Sequence, residues 1–104
     1  MVKKKLFLVV LLVLISTTVL TAQTQNTALI GTWSWVADHS YLYIFFADGQ
    51  GRRGFPGEME TFNWSTSGNL LQIGIEQWTF TITENTLTIV SRQVAGMAFS
   101  YLKR

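Results

Sequence analysis

Three stretches of this sequence carry residue types that do chemistry. The first is "GQGRRG", residues 49–54, which fits G-x-G-x-x-G letter for letter and follows an apolar run, "YLYIFF". In a dinucleotide fold the last glycine of that pattern opens a helix whose N-terminus meets a pyrophosphate. Here "FPGEMETF" follows, and Pro56 and Gly57 forbid a helix at that point. The stretch reads instead as a hairpin turn on Asp48-Gly49, because glycine accepts a positive φ without a Cβ clash. The second stretch, "DHS", sets Asp38, His39 and Ser40 in a row. Consecutive side chains point in different directions and cannot chain into a proton relay. His39 is the only histidine, too little with scattered carboxylates for a zinc site. The third, Asp48-Gly49-Gln50-Gly51, lacks the repeated oxygen ligands of a calcium loop. Asn63-Trp64-Ser65 is a formal glycosylation sequon, but it falls in mid-strand. No nucleophile–base pair, metal site or cofactor site emerges, and the chain reads as non-enzymatic.

Arg53 is the one charged residue with a functional reading. A turn centred on Asp48-Gly49 pairs residues 46 with 51, 44 with 53 and 42 with 55. If Leu42, Ile44 and Phe46 point inward, Arg53 does too. A buried arginine needs a partner, which is Glu58, Glu60 or the carboxylate of a bound ligand. A bulge that turns Arg53 outward is the other solution. The same register puts Tyr41, Tyr43 and Phe45 outside as a bare aromatic stripe, a candidate interaction surface.

The elements that position these residues are strands. Past residue 26, β-branched and aromatic runs are cut by Gly, Asn, Asp and Ser at short intervals. "LIGTWSWVA" puts Gly31, Trp33 and Trp35 on one face. "ETFNWST" alternates Phe62 and Trp64 with Asn63 and Ser65, and "LLQIGI" puts Leu71, Ile73 and Ile75 on one face. In "QWTFTITENTLTIVSR" a two-residue turn at Glu84-Asn85 sets Ile82 opposite Leu87, Phe80 opposite Ile89 and Thr81 opposite Thr88. Both faces then agree. "MAFSYLKR" supplies the last strand. About eight short strands joined by tight turns make an antiparallel meander, and closing it into an up-and-down barrel removes the exposed edges.

The chain has 104 residues, and its beginning is of another kind. Lys3, Lys4 and Lys5 precede an unbroken apolar run, residues 6–15, and then small residues to Ala22. That is the layout of a secretory signal peptide, residues 1–22, with an uncleaved anchor as the alternative. Residues 23–104 form the one domain. Removing the three lysines leaves five basic against six acidic residues, a net charge of −1. The formal +2 of the whole chain therefore belongs to the export signal, and no field remains to attract nucleic acid. There is no cysteine, so this exported domain is disulfide-free and carries no lipid-attachment site.

Several motifs carry a family resemblance. "GTW", Gly31-Thr32-Trp33, resembles the Gly-x-Trp signature that opens the first strand of lipocalins. "FFADGQG", with Asp48, Gly49 and Gly51, resembles the F-x-x-D-G-x-G hairpin of small secreted bacterial lipocalin-like domains. "TITENTLTI" and "FSYLKR" resemble that family's late hairpin and last strand. The resemblance implies a small exported calycin-like barrel in which Trp33 plugs the closed end. It further implies that a basic residue of the last strand, Lys103 or Arg104, packs across that ring. The chain lacks the second lipocalin motif, the flanking helix and the disulfide.

Two functions follow as expectations. One is a monomeric, periplasmic or extracellular barrel that binds a small apolar or amphipathic molecule, with Arg53 and the inward rings Trp33, Trp64 and Trp78 as the candidate ligand-binding set. The other is an interaction module for an envelope protein, with a filled core and Tyr41, Tyr43 and Phe45 as its surface. A cavity with Arg53 at its wall marks the first; a solid core with a bare stripe marks the second.

Overall fold

The computed structural model describes residues 25–104, so the segment expected to be a signal peptide, residues 1–22, lies outside the described residues. A 3-10 turn, Thr27–Leu29, leads into eight strands. These are β1 (Gly31–Trp35), β2 (Leu42–Phe45), β3 (Gln50–Gly54), β4 (Glu60–Ser67), β5 (Leu70–Ile73), β6 (Glu76–Thr83), β7 (Thr86–Ser91) and β8 (Ala98–Lys103). Each is antiparallel to the next, and β8 returns to pair with β1, so the sheet closes into the up-and-down barrel that the strand pattern implies. Among the described residues no helix is long and apolar enough to cross a membrane.

The β6–β7 hairpin has the register read from its alternation: Phe80 opposite Ile89, Thr81 opposite Thr88, Ile82 opposite Leu87. Glu84 opens its turn at φ 56°, the only positive-φ residue other than glycine among those described. Phe80, Leu87 and Ile89 are buried, while Thr81 is exposed. Period-two alternation over two long strands with a two-residue turn leaves one solution, and the chain adopts it.

The β2–β3 hairpin differs from the expected register by one residue. Phe45 pairs with Gly51, Ile44 with Arg52 and Tyr43 with Arg53. The cause is the turn. Gly49 N–H donates to Phe46 O, Phe46 N–H donates to Gln50 O, and Gly49 has φ +84°. Three loop residues, the last in the left-handed region, replace the two that Asp48-Gly49 alone would use. The Asp48 carboxylate accepts from Gln50 N–H and holds the turn. The odd loop length swaps the faces of β2. Tyr43 and Phe45 therefore point into the barrel, at 4% and 1% exposure, and Phe46 points out. The bare stripe of Tyr41, Tyr43 and Phe45 does not exist. "LLQIGI" carries a second correction: Gly74-Ile75 is a turn, and Ile75 is 89% exposed instead of sharing the inner face with Ile73.

A meander places its odd and even connections at opposite ends. The turns at residues 46–49, 68–69 and 84–85 lie at one end with the 3-10 turn and the end of β8. The connections at 36–41, 55–59, 74–75 and 92–97 lie at the other. The first end is plugged. Leu29 is fully buried there, and the indole N–H of Trp33 donates to its carbonyl at 2.9 Å. Lys103 lays its ammonium 4.7 Å from the Trp33 ring centre and donates to Ile30 O at 2.8 Å. Of the two basic residues that the resemblance offered for this place, Lys103 is the one at the ring. Gly31, at φ +134°, makes room for it: a Cβ there would lie 2.6 Å from Lys103 Nζ. Residues 25 and 26 also belong to this end, where Gln25 donates to Trp64 O and Asn26 N–H to the Thr66 hydroxyl.

Candidate functional site

The other end, which carries the connections at 36–41, 55–59, 74–75 and 92–97, opens into a cavity of about 420 Å³ bordered by Tyr41 from the first of them and by Gln93, Val94 and Met97 from the last. Its size falls in the range of small-molecule sites. Each wall follows from strand alternation. Trp35 ends β1, Tyr43 lies on β2, Trp78 is the third residue of β6, and Phe99 and Tyr101 are alternate residues of β8. Tyr41 precedes β2 on the same face as Tyr43. The rings touch edge to face in a continuous lining: Trp35 with Tyr41 at 6.0 Å and with Phe99 at 6.1 Å, Phe99 with Trp78 at 6.0 Å, Tyr43 with Tyr101 at 5.1 Å.

Arg53 stands at the wall of this cavity, its side chain 19% exposed. It is inward because its strand partner, Tyr43, is inward. Glu60, its partner on β4, takes the Nε hydrogen at 2.7 Å. Glu76, from the start of β6, takes both remaining arms in a fork, Nη1 at 2.9 Å and Nη2 at 2.7 Å. The hydroxyl of Tyr43 also accepts from Nη1, at 2.9 Å. Trp78, two residues beyond Glu76 on the same face, donates its indole N–H to that carboxylate at 3.1 Å. A bidentate arginine–carboxylate pair is among the stronger charge-assisted contacts.

The electrostatics follow from these contacts. Hydrogen bonds from Arg53 hold the Glu76 carboxyl below its ordinary value, against the opposing effect of burial. The same pairing, led by Glu76, pushes the guanidinium further up, so it stays charged. Burial pushes the Tyr43 phenol up to about 12. Burial, and after it the neighbouring Tyr43, also raise Tyr101, and burial raises Tyr41. Neutral phenols therefore surround a charged group whose charge is already matched.

The candidate residues separate into two groups. Arg53 and Trp78 line the cavity. Trp33 and Trp64 do not: Trp33 belongs to the plug, and Trp64 turns its indole N–H to Phe46 O and Gln50 O beside the 46–49 turn. Both were expected in the ligand-binding set because they face inward, but inward at the plugged end is core. Tyr41 and Tyr43 line the cavity, while Phe45 packs on Trp64 at 5.2 Å. Gly51 sits where a Cβ would lie 2.4 Å from the Phe62 ring, so the "GQGRRG" stretch serves turn and packing, and a second strand follows it instead of a helix. In "DHS" the Asp38 carboxylate accepts from the Ser40 amide and hydroxyl as a local turn, and His39 is exposed. The ion pair answers the question of Arg53's partner with Glu60, which the sequence offered, and Glu76, which it did not. Glu76, Trp35, Phe99 and Tyr101 were missed as site residues. Their signal was the meander itself, which collects the ends of β1, β3, β5 and β7 at one rim.

The connections at the open end carry exposed large apolar side chains, Val36, Phe55, Ile75, Val94 and Met97, of which Val94 and Met97 line the cavity. No protein-family model matches this chain, and no curated protein matches it.

Proposed function

We propose that this chain is an exported, monomeric, lipocalin-like barrel that binds one small apolar or amphipathic molecule and carries out no chemistry on it. The observation that carries this reading is the aromatic cavity of about 420 Å³ at one end of an eight-stranded barrel. Barrels of this strand number have interiors that side chains alone can fill. Here Leu29, Trp33 and Lys103 close one end, and the rings at the other end stand apart around a space. The lipocalin-like kinship is supported by the same plug, in which a Gly-x-Trp tryptophan at the first strand carries a lysine from the last. Native mass spectrometry of protein purified gently from its own exported fraction tests the proposal. A mass beginning near Gln23 with a small molecule that departs on activation supports it; a bare barrel that takes up none of a panel of ring compounds contradicts it.

A second reading rests on the exposed apolar side chains of the connections at the open end. Exposed apolar side chains gathered at one rim suit a protein partner in the cell envelope. A stable protein companion in the same spectrum favours that reading over the first.

A further inference from the structure

The balance of donors and acceptors in the cavity says what kind of molecule fits it. The carboxylate acceptor of the wall is engaged, while the phenol oxygens can accept as well as donate. Glu76 Oε1 already takes Arg53 and Trp78, and its Oε2 takes Arg53. The hydroxyl donors are not engaged. Among the described residues, the hydroxyls of Tyr41 and Tyr101 have no hydrogen-bond partner, and that of Tyr43 accepts from Arg53 but donates to no acceptor. The Ser91 hydroxyl, also in the wall, accepts from the amides of Gln93 and Val94, so its proton too is left over. Tyr101 is 4% exposed as a residue, yet no fully buried side-chain polar atom among the described residues lacks a partner, so its hydroxyl is open to the cavity and finds its partner there. An oxygen acceptor on a ligand can take any of these unpaired hydroxyl protons.

The charge of the site decides which acceptor. Arg53 faces two carboxylates, so the trio carries a net charge of −1. A ligand carboxylate would have to displace Glu76 from a bidentate pair, or enter beside it unpaired, and both are costly. The excess negative charge sits on Glu60, which is 65% exposed and does not line the cavity, whereas at the cavity wall Glu76 is matched by Arg53, so a ligand cation finds no free counter-charge there. We infer that the cavity selects uncharged, ring-containing molecules bearing a carbonyl or similar oxygen, which stack among Trp35, Trp78 and Phe99 and accept a hydrogen bond from Tyr101. Arg53 and Glu76 act as a built-in neutral pair that braces the wall and excludes fatty-acid-like anions. This inference rests on the binding-barrel reading above.

Three probes with one ring system test it: 2-acetylnaphthalene, 2-naphthoate and 2-methylnaphthalene, titrated at neutral pH into the full exported domain while tryptophan fluorescence is followed. The ketone is expected to bind about 3- to 10-fold more tightly than the hydrocarbon, the range of one neutral hydrogen bond. It should bind at least about tenfold more tightly than the carboxylate, which must shed its hydration without a free counter-charge. Tyr101→Phe should bring the ketone down to the hydrocarbon's affinity and leave the hydrocarbon where it was. Glu76→Gln, which takes the trio to zero charge, should raise naphthoate binding without raising that of the hydrocarbon. Naphthoate binding as tightly as the ketone in the parent protein overturns the inference and leaves the binding barrel standing. Failure of all three probes to bind overturns both.

Discussion

The two ends of this barrel solve the same problem in opposite ways. Both contain two tryptophans and one long basic side chain. At the plugged end the indoles of Trp33 and Trp64 donate to backbone carbonyls, and Lys103 lies over Trp33 and donates to another. Backbone is fixed, so that end is rigid and full. At the open end Trp78 and Arg53 are held by the side chain of Glu76, and the neighbouring phenols have protons to give. The chain spends its backbone partners on stability at one end and leaves side-chain partners facing a space at the other. On the proposed binding function, stability and recognition are thereby divided along the barrel axis.

Substitutions should show that division. The largest effect is expected from Trp33→Ala. It removes a ring that is 1% exposed together with its hydrogen bond and its lysine contact, at a cost of about 3–5 kcal/mol in urea unfolding. In a domain of some eighty residues this approaches the whole stability. A variant that unfolds like the parent would remove Trp33 from the core.

Alkali should attack the other end. All three tyrosines lie at the cavity, and each has its phenol pKa raised by burial. A group whose folded pKa is raised stabilises fully below its unfolded value and loses that contribution as pH rises toward the folded one. For Tyr43 the window runs from 10 to about 12. Its two-unit shift corresponds to roughly 2–3 kcal/mol of stability lost across that window. Denaturant midpoints measured from pH 9 to pH 12 should fall steeply for the parent and less so for Tyr43→Phe.

The two carboxylates that hold Arg53 should differ. Glu76 makes a bidentate, partly buried contact, and Glu76→Gln is expected to cost about 1–3 kcal/mol. Glu60, whose side chain is 65% exposed, should cost under about 1 kcal/mol when changed to glutamine. Since the Glu76 pKa is lowered, its contribution is present above the ordinary glutamate value and fades as pH falls through the lowered one. Equal effects from the two variants would mean that the fork to Glu76 does not persist in solution. The smallest effect is expected at the plug's surface: Lys103→Met, which removes one cation–π contact and one hydrogen bond, should lower stability by about 1 kcal/mol and leave ligand affinity unchanged.

What could be read from the sequence was local. The β6–β7 hairpin was legible to the residue, because alternation and a two-residue turn must agree on one register. β2 was misread by one residue because Asp48-Gly49 serves equally in a two-residue turn and in a three-residue turn with a left-handed glycine. In a period-two element that single step exchanges inside for outside and turned a cavity wall into a supposed surface stripe. The sequence left Arg53 either inward opposite Ile44 or turned out by a bulge; it is inward, opposite Tyr43. Glu76, 23 residues further along, was out of reach of local pairing. The meander sets the end of β3 and the start of β6 at one rim, and the curling of the sheet into a barrel brings them into contact across it. The separation of Trp33 and Trp64 from Trp78 needed the same global fact, since alternation says which face a ring takes and nothing about which end.

The four indole N–H signals report on both ends at once. A proton–nitrogen correlation spectrum of the barrel domain, titrated with 2-acetylnaphthalene, would follow Trp33 and Trp64 at the plug and Trp35 and Trp78 at the cavity. Division of labour along the axis predicts that the signals of Trp35 and Trp78 move with the titration while those of Trp33 and Trp64 stay in place. Movement of the Trp33 or Trp64 signals to the same extent, or no movement of any of the four, would contradict it.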